Sequence, residues 1–389
     1  MRIAYVTETF PPEINGVALT AARTLAYLRN VGHSVQLIRP RQRGEDPRDS
    51  ADEWRSFGGP IPMYPDLRYG LARAASLRRR WRRGPLPDLV HATTPGPLGW
   101  AALAAARAEG LPCTADFRTN FHAYSRHYGL AWMEPLLLAY LRRLHAMADC
   151  NFVPTRALAA QLAAQGFERL QVVGRGVDSL RFSPARRDEH LRQAWCAGRG
   201  NPVLLHVGRL AAEKNVQLAL DAYETLRRSH AGLRMVIVGD GPQRARLQST
   251  HASVQFVGMQ RGDELARHYA SADVFLFPSL TDTFGNVTLE ALASGLAVAA
   301  FDTAAAGQHI ENGSSGCLAA PGHDAAAREA FVGAAARALA AATPESALRQ
   351  RAVQAARGAD WPSVMARFER RLCRVADCHG LGLEHAVMA

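Results

Sequence analysis

Short apolar strands alternate with helical stretches along both halves of the 389-residue chain, which restricts it to α/β architecture with parallel sheets and crossover helices. In the first half, strands are expected at Arg2 to Thr7, Val35 to Ile38, Leu89 to Ala92, Cys113 to Asp116 and Asn151 to Val153. Helices such as Val17 to Asn30 and Leu98 to Ala108 lie between them. The second half repeats the pattern, with strands at Val203 to Val207, Arg234 to Val238, Val254 to Val257, Val274 to Phe277 and Ala297 to Phe301. Its helices are expected at Val216 to Arg228, Gln243 to Gln248 and Asp263 to Ala270. Two such sheets facing one another leave an interdomain cleft, and ligands bind beyond the carboxyl ends of the strands.

The join between the halves reads Gly174-Arg175-Gly176-Val177-Asp178 and runs on to Pro184, a stretch punctuated by Gly and Pro. It predicts a first domain over 1–178 and a second over 179–361, with 380–389 as a loose tail. A helix is expected to begin at Trp361-Pro362, with proline at an early position. At 48% hydrophobic residues the chain can fill two cores. Six scattered cysteines show neither CxxC spacing nor a zinc-like pattern with histidine. With no signal peptide and no spanning apolar run, they predict a cytoplasmic protein with reduced thiols.

The net charge is +11. Residues 1–178 hold 23 arginines against 15 acidic residues, a net +8, so the surplus lies mainly in the first half. It peaks at Arg78-Arg79-Arg80-Trp81-Arg82-Arg83. Indole favours the headgroup zone and no nucleic-acid fold signature is present, so an anionic membrane surface is expected as partner and nucleic acid is not.

Of the 46 basic residues only Lys214 is a lysine. It stands in Gly208-Arg209-Leu210-Ala211-Ala212-Glu213-Lys214, directly after an apolar strand. An ammonium is a point charge that can sit against a phosphate oxygen, which a planar guanidinium does not reproduce. Further on, Asp282 follows another strand and Glu290 stands eight positions later, in a helix expected to begin near Phe284. The backbone amides of Phe284, Gly285, Asn286 and Val287 at that helix mouth suit a diphosphate.

These residues resemble the retaining glycosyltransferases of the GT-B fold, in the branch that carries a Glu, seven residues, Glu motif, of the family 4 type. The resemblance spans nearly the whole chain and implies two Rossmann-like domains facing across a deep cleft. It also implies that the last helix, about 362–379, crosses back onto the first domain. Arg209 and Lys214 then correspond to the diphosphate clamp and Glu290 to the acid that binds the nucleotide ribose. Asp282 replaces the first Glu of the motif, on a shorter arm, as the group holding donor-sugar hydroxyls. Gly16 is the part of the family's paired glycine that this chain keeps, and Gly208 and Met259 border the donor. Where the family places a histidine lining the sugar, this chain offers Arg118, with His122 one helical turn later.

The implied reaction is transfer of a hexose, of mannose or glucose type, from a nucleoside-diphosphate sugar with retention. No Asp-x-Asp clamp is present, so no metal and no cofactor beyond the donor are expected. Bacterial mannosyl- and glycolipid-synthesising members are the nearest in pattern, which implies a lipid or lipid-linked acceptor and a peripheral place on the inner face of the cytoplasmic membrane. A soluble or polysaccharide acceptor, a sugar-nucleotide epimerase and a noncatalytic sugar-nucleotide-binding protein are the alternatives.

Overall fold

The computed structural model describes the chain except residues 14–15, 43–44, 46–49, 51, 62–63, 118–133, 199, 344 and 381–389, and the side chains of 61, 64–67 and 380. The chain divides into two compact units, Met1–Gly174 with Met365–Ala389, and Arg175–Val364. The helix Trp361–Gly380 therefore has its first turn in the second unit and the rest in the first.

Among the described residues the first unit contains β1 (Arg2–Val6), β2 (Ser34–Pro40), β3 (Glu53–Ile61), β4 (Tyr64–Leu71), β5 (Leu89–Ala92), β6 (Cys113–Asp116), β7 (Cys150–Val153) and β8 (Leu170–Val172). They form one sheet in the order β4-β3-β2-β1-β5-β6-β7-β8. Every neighbouring pair is parallel except β3 with β4. Core residues cover both faces: Ala4, Val6, Val90 and Leu103 on one, Ile3, Tyr5, Leu37 and Phe368 on the other. This accounts for the unbroken apolar strands, because a parallel sheet is buried on both sides.

Sequence periodicity did not indicate β3 and β4, nor the three-residue strands at the sheet edges, β8 here and Cys317–Ala319 (β14) in the second unit. The hairpin is rich in Gly, Pro and charge, and is defined by pairing with β2 rather than by its own pattern. Gly58 is needed there, since a Cβ would lie 2.2 Å from the Tyr69 carbonyl oxygen. Glu8, just after β1, caps the helix Pro97–Ala108 by accepting from Leu98 N at 2.8 Å. Burial pushes its carboxyl up to about 7.

The second unit contains β9 (Val203–Val207), β10 (Arg234–Val238), β11 (Gln255–Gly258), β12 (Val274–Phe277), β13 (Ala297–Phe301) and β14 (Cys317–Ala319). Their order is β11-β10-β9-β12-β13-β14, with every pair parallel. The connection reverses direction between β9 and β12, the switch point at which doubly wound sheets bind ligands.

At the opposite, amino-terminal end, Asp273 holds these two strands together. Its Oδ2 accepts from Val203 N at 2.9 Å and from Arg192 Nη1 at 2.9 Å. Arg192 is itself buried, and also donates to the Ser271 and Asn201 carbonyls at 2.7 Å each.

The arginine cluster is organised differently from the sequence expectation. It lies on the helix Ala74–Arg83, and Trp81 is 2% exposed, packed in the core with Leu77 and not at a surface. The reason is helical spacing: Leu77 and Trp81 are four residues apart, so they share the inward face. Arg78 and Arg82 both pair with Glu109, the latter at 2.9 Å, and Arg80 lies 5.6 Å from the Trp54 ring centroid. Among the described residues, no helix is long and apolar enough to cross a membrane.

Removing Asp273 would strand the buried Arg192 charge. Asp273→Ala is expected to destabilise the second unit by about 3–5 kcal/mol, read as a fall in the urea midpoint. An unchanged midpoint would show that the pair does not anchor the sheet.

Candidate active site

The site grows from the way β9 and β12 separate. Their parallel register covers Leu204 with Val274 and Leu205 with Phe275. Beyond these pairs a side chain bridges the strands: His206 Nδ1 lies 3.0 Å from the Leu276 carbonyl oxygen. A carbonyl only accepts, so Nδ1 carries the proton and Nε2 presents its lone pair. Nε2 is buried without a hydrogen-bond partner, and would lie 3.5 Å from a Cβ placed on Gly208. Burial is the main cause of the lowering of the His206 pKa to about 4, and the nearby Lys214 charge acts in the same direction. The imidazole is therefore neutral at pH 7.

After β9 the chain makes a short turn of 3-10 helix, Ala212–Lys214, which ends at Asn215 in the left-handed region (φ 51°). This brings Lys214 back across the strand ends. Its ammonium lies 2.6 Å from Asp282 Oδ1 and 5.9 Å from the Phe277 ring centroid. Both side chains of the ion pair are only 16% exposed. Asp282 Oδ2 is buried and accepts no hydrogen bond. The lone lysine and the aspartate in the first motif position are thus one unit, joined across 68 residues of sequence.

Arg209, roughly half exposed, pairs with Glu213. Burial pulls the Glu213 carboxyl up, yet the Arg209 hydrogen bond and charge hold it below the usual range. Glu213 is in turn tied to the loop after β12, where Ser279 Oγ donates to its carbonyl at 3.4 Å.

The helix after β12 begins later than expected, at Asn286 and not near Phe284, and runs to Ala293. Gly285 precedes it with φ 80°, a left-handed conformation that glycine adopts without strain. Phe284 is an anchor: its ring is buried and its carbonyl accepts from Ala305 N at 2.7 Å. The first-turn amides of Asn286 and Val287 have no carbonyl within the helix to bond, so this end carries partial positive charge. Asn286 Oδ1 and Thr281 Oγ1 are buried without partners as well. Orphaned polar atoms are uncommon in native interiors, and four of them (Asp282 Oδ2, Asn286 Oδ1, Thr281 Oγ1 and His206 Nε2) fall on β9 and the loop and helix start after β12.

Glu290 lies little more than one turn into this helix and accepts from the Tyr269 hydroxyl at 3.1 Å. Burial, helped by the Glu290 charge, pushes the Tyr269 phenol well above its ordinary value. It is a proton donor throughout the neutral range. Phe182 and Phe275 hold the ring, at centroid distances of 5.6 and 5.7 Å.

Gly208 is fixed by its contact with the Gly239 turn, where a Cβ on Gly239 would stand 1.9 Å from the Gly208 carbonyl oxygen. That turn is architectural. Met259 follows β11 and is 58% exposed. In the first unit, Gly16 is the first residue of the helix Gly16–Asn30, with its carbonyl accepting from Thr20 Oγ1 at 2.7 Å. Arg118 and His122 lie outside the described residues. Sequence reasoning missed His206, Glu213 and Tyr269. A histidine inside the apolar run Val203-Leu204-Leu205-His206-Val207 was the one visible signal.

The neutral His206 has a measurable consequence. Between pH 6.5 and about 4 the unfolded imidazole takes up a proton that the folded one refuses, so its contribution to stability is complete above this window and is lost as pH falls through it. His206→Asn keeps an N–H for Leu276. It should flatten the pH dependence of unfolding free energy in that window by up to about 1.4 kcal/mol per pH unit. Parallel wild-type and variant profiles would contradict the buried neutral imidazole.

Two family models match the chain: "Glycosyltransferase Family 4" over residues 14–181 and "Glycosyl transferases group 1" over residues 201–340. A GDP-mannose-dependent alpha-mannosyltransferase of Mycobacterium tuberculosis is 40% identical over 307 residues, covering 78% of this chain and 79% of that protein. An alpha-monoglucosyldiacylglycerol synthase of Streptococcus pneumoniae is 28% identical over 319 residues, covering 77% and 71%. The solved structure of sucrose-phosphate synthase from Thermosynechococcus elongatus superposes with a TM-score of 0.77 at 18% identity, covering 96% of this chain and 98% of that one, a likeness of fold. With both sheets wound as the resemblance requires and the motif residues gathered at the switch point of the second, the chain belongs to glycosyltransferase family 4 and has the GT-B fold.

Proposed function

We propose that the protein transfers a mannosyl residue from GDP-mannose to a lipid or lipid-linked acceptor, with retention of configuration and without a metal at the reacting centre. The observation that carries this reading is the 40% identity to a GDP-mannose-dependent mannosyltransferase along 78% of the chain. The similarity to an alpha-monoglucosyldiacylglycerol synthase supports the lipid acceptor. The exposed arginines Arg79 and Arg83 on the first unit support an anionic membrane surface as the place of encounter.

The second unit supplies the donor chemistry. An ammonium has three donors, and Asp282 Oδ1 takes one of them. The others are available to the departing diphosphate, which Arg209 and the amides of Gly285, Asn286 and Val287 would also receive. Glu290, held by Tyr269, would accept from the ribose hydroxyls. Asp282 Oδ2, buried and unpartnered, would accept a hydroxyl of the sugar. Gly16, Arg118 and His122 are proposed for the sugar and phosphate from the first unit, and Gly208 and Met259 for the nucleotide side.

On this reading the bond from C1 of the sugar to the diphosphate oxygen breaks as the acceptor oxygen bonds to C1 on the same face. The acceptor proton passes to the departing diphosphate oxygen. Lys214 stabilises the charge that develops there, which is the largest contribution expected from a fixed cation. Asp282 keeps the ammonium in place, so the stabilisation needs little reorganisation.

A thermal-shift panel of GDP- and UDP-sugars tests the donor, because a ligand that binds the folded state raises its midpoint. GDP-mannose is expected to give the largest shift, and to label a lipid extract in the presence of EDTA. A larger shift with a UDP-sugar, labelling confined to soluble acceptors, or loss of turnover restored by magnesium would each overturn the corresponding part of the proposal.

Lys214→Ala should lower turnover by on the order of 100-fold, with the fold retained. Lys214→Arg should recover only part of it, because a planar fork cannot keep the 2.6 Å contact to Asp282 and also meet the phosphate. Full activity of the arginine variant would refute the role given to the ammonium.

A further inference from the structure

His33, Glu369 and Cys373 come together in the first unit, and none of them is among the residues assigned to the donor. Glu369 and Cys373 lie four apart on the helix Trp361–Gly380, and so project from one face. That face borders the stripe of Phe368, Leu372 and Val375 that packs on β1 and β2 residues. His33 is delivered by the turn between the helix Gly16–Asn30 and β2, which Gly32 permits with φ 93°. His33 Nε2 lies 3.2 Å from Glu369 Oε1, and Cys373 Sγ lies 3.5 Å from the same oxygen. The three donor atoms all fall within 4.8 Å of one another, and all three residues are half-buried.

We propose that His33, Glu369 and Cys373 form a binding site for a divalent transition-metal ion, of which zinc fits the donors best, that fastens the last helix to the first unit. Sequence spacing does not display this cluster, because His33 and Glu369 stand 336 positions apart and only the fold brings them together.

An imidazole nitrogen, a thiolate and a carboxylate all belong to the ligand set that zinc, itself borderline-soft, accepts. Bond lengths of about 2.0–2.3 Å place ligand atoms around a tetrahedral zinc about 3.3–3.8 Å apart. Two of the separations, 3.2 and 3.5 Å, already lie close to this spacing and the third is within 4.8 Å; water would complete four-coordination. Burial and the Glu369 charge push the free thiol up to about 11. A bound dication reverses that preference and displaces the thiol proton. The ion would be structural and separate from transfer, so chelation should lower the thermal midpoint without stopping turnover below it.

The test uses the full chain without a histidine tag, in a Cys196→Ser background because Cys196 is exposed. After stripping with chelator and dialysis against zinc, one zinc per chain is expected. Saturating zinc should raise the midpoint by about 3 °C or more. Cobalt should give the near-ultraviolet charge-transfer band of a thiolate ligand. His33→Ala and Cys373→Ser should each lose the stoichiometric metal and the midpoint shift, with circular dichroism confirming that they fold. If a variant does not fold, the cobalt band in the unsubstituted site decides. Absence of that band, or equal zinc content in the parent and both variants, would overturn the proposal.

Discussion

The parting of β9 from β12 is the constraint on which the second unit's chemistry depends. In a parallel sheet each strand is normally held along its length by two neighbours. Here the ladder between these two strands covers Leu204 to Leu205 against Val274 to Phe275. Asp273 clamps the amino-terminal end through Val203 N, and the His206 side chain bridges to Leu276 near the other. The chain turns opposite ways from the two strand ends, so the loops that follow have room between them. Lys214 enters from one side and Asp282 from the other.

That geometry gives each charged group a restraint suited to its surroundings. Lys214 is largely removed from water and has a carboxylate and an aromatic face beside it. Arg209 is more exposed and is steered by Glu213. Glu290 is oriented by a phenol that burial keeps protonated. Removing one partner would leave the other buried and poorly satisfied, which is how a rigid array of charges is kept in position. The shorter arm of Asp282 is consistent with this arrangement: one oxygen is committed to the ammonium and the other is left unpartnered.

Features carried by local pattern were legible in the sequence. The central strands and the helices between them were marked by apolar runs and breakers. Gly285, which turns into a helix start, and the run Arg209 to Lys214 after a strand could be placed on loops from those marks alone. The β3–β4 hairpin was not legible, because Gly, Pro and charged residues form a strand there only when β2 offers them a ladder. Trp81 shows the same limit at the level of a side chain. Five arginines around an indole suggest a surface, while its spacing from Leu77 and the helix it packs on decide that it is core.

The sequence by itself determined the α/β alternation, the two-unit division and which charged and polar residue types stand on the loops after β9 and β12, because each is written in neighbouring positions. Only the tertiary structure decided which of those residues meet. The pairing of Lys214 with Asp282, the support of Glu290 by Tyr269, the neutral His206 and the meeting of His33 with Glu369 and Cys373 all join positions far apart in the chain. Strand order and helix packing set those distances, and they are properties of the assembled core that no local window of sequence contains.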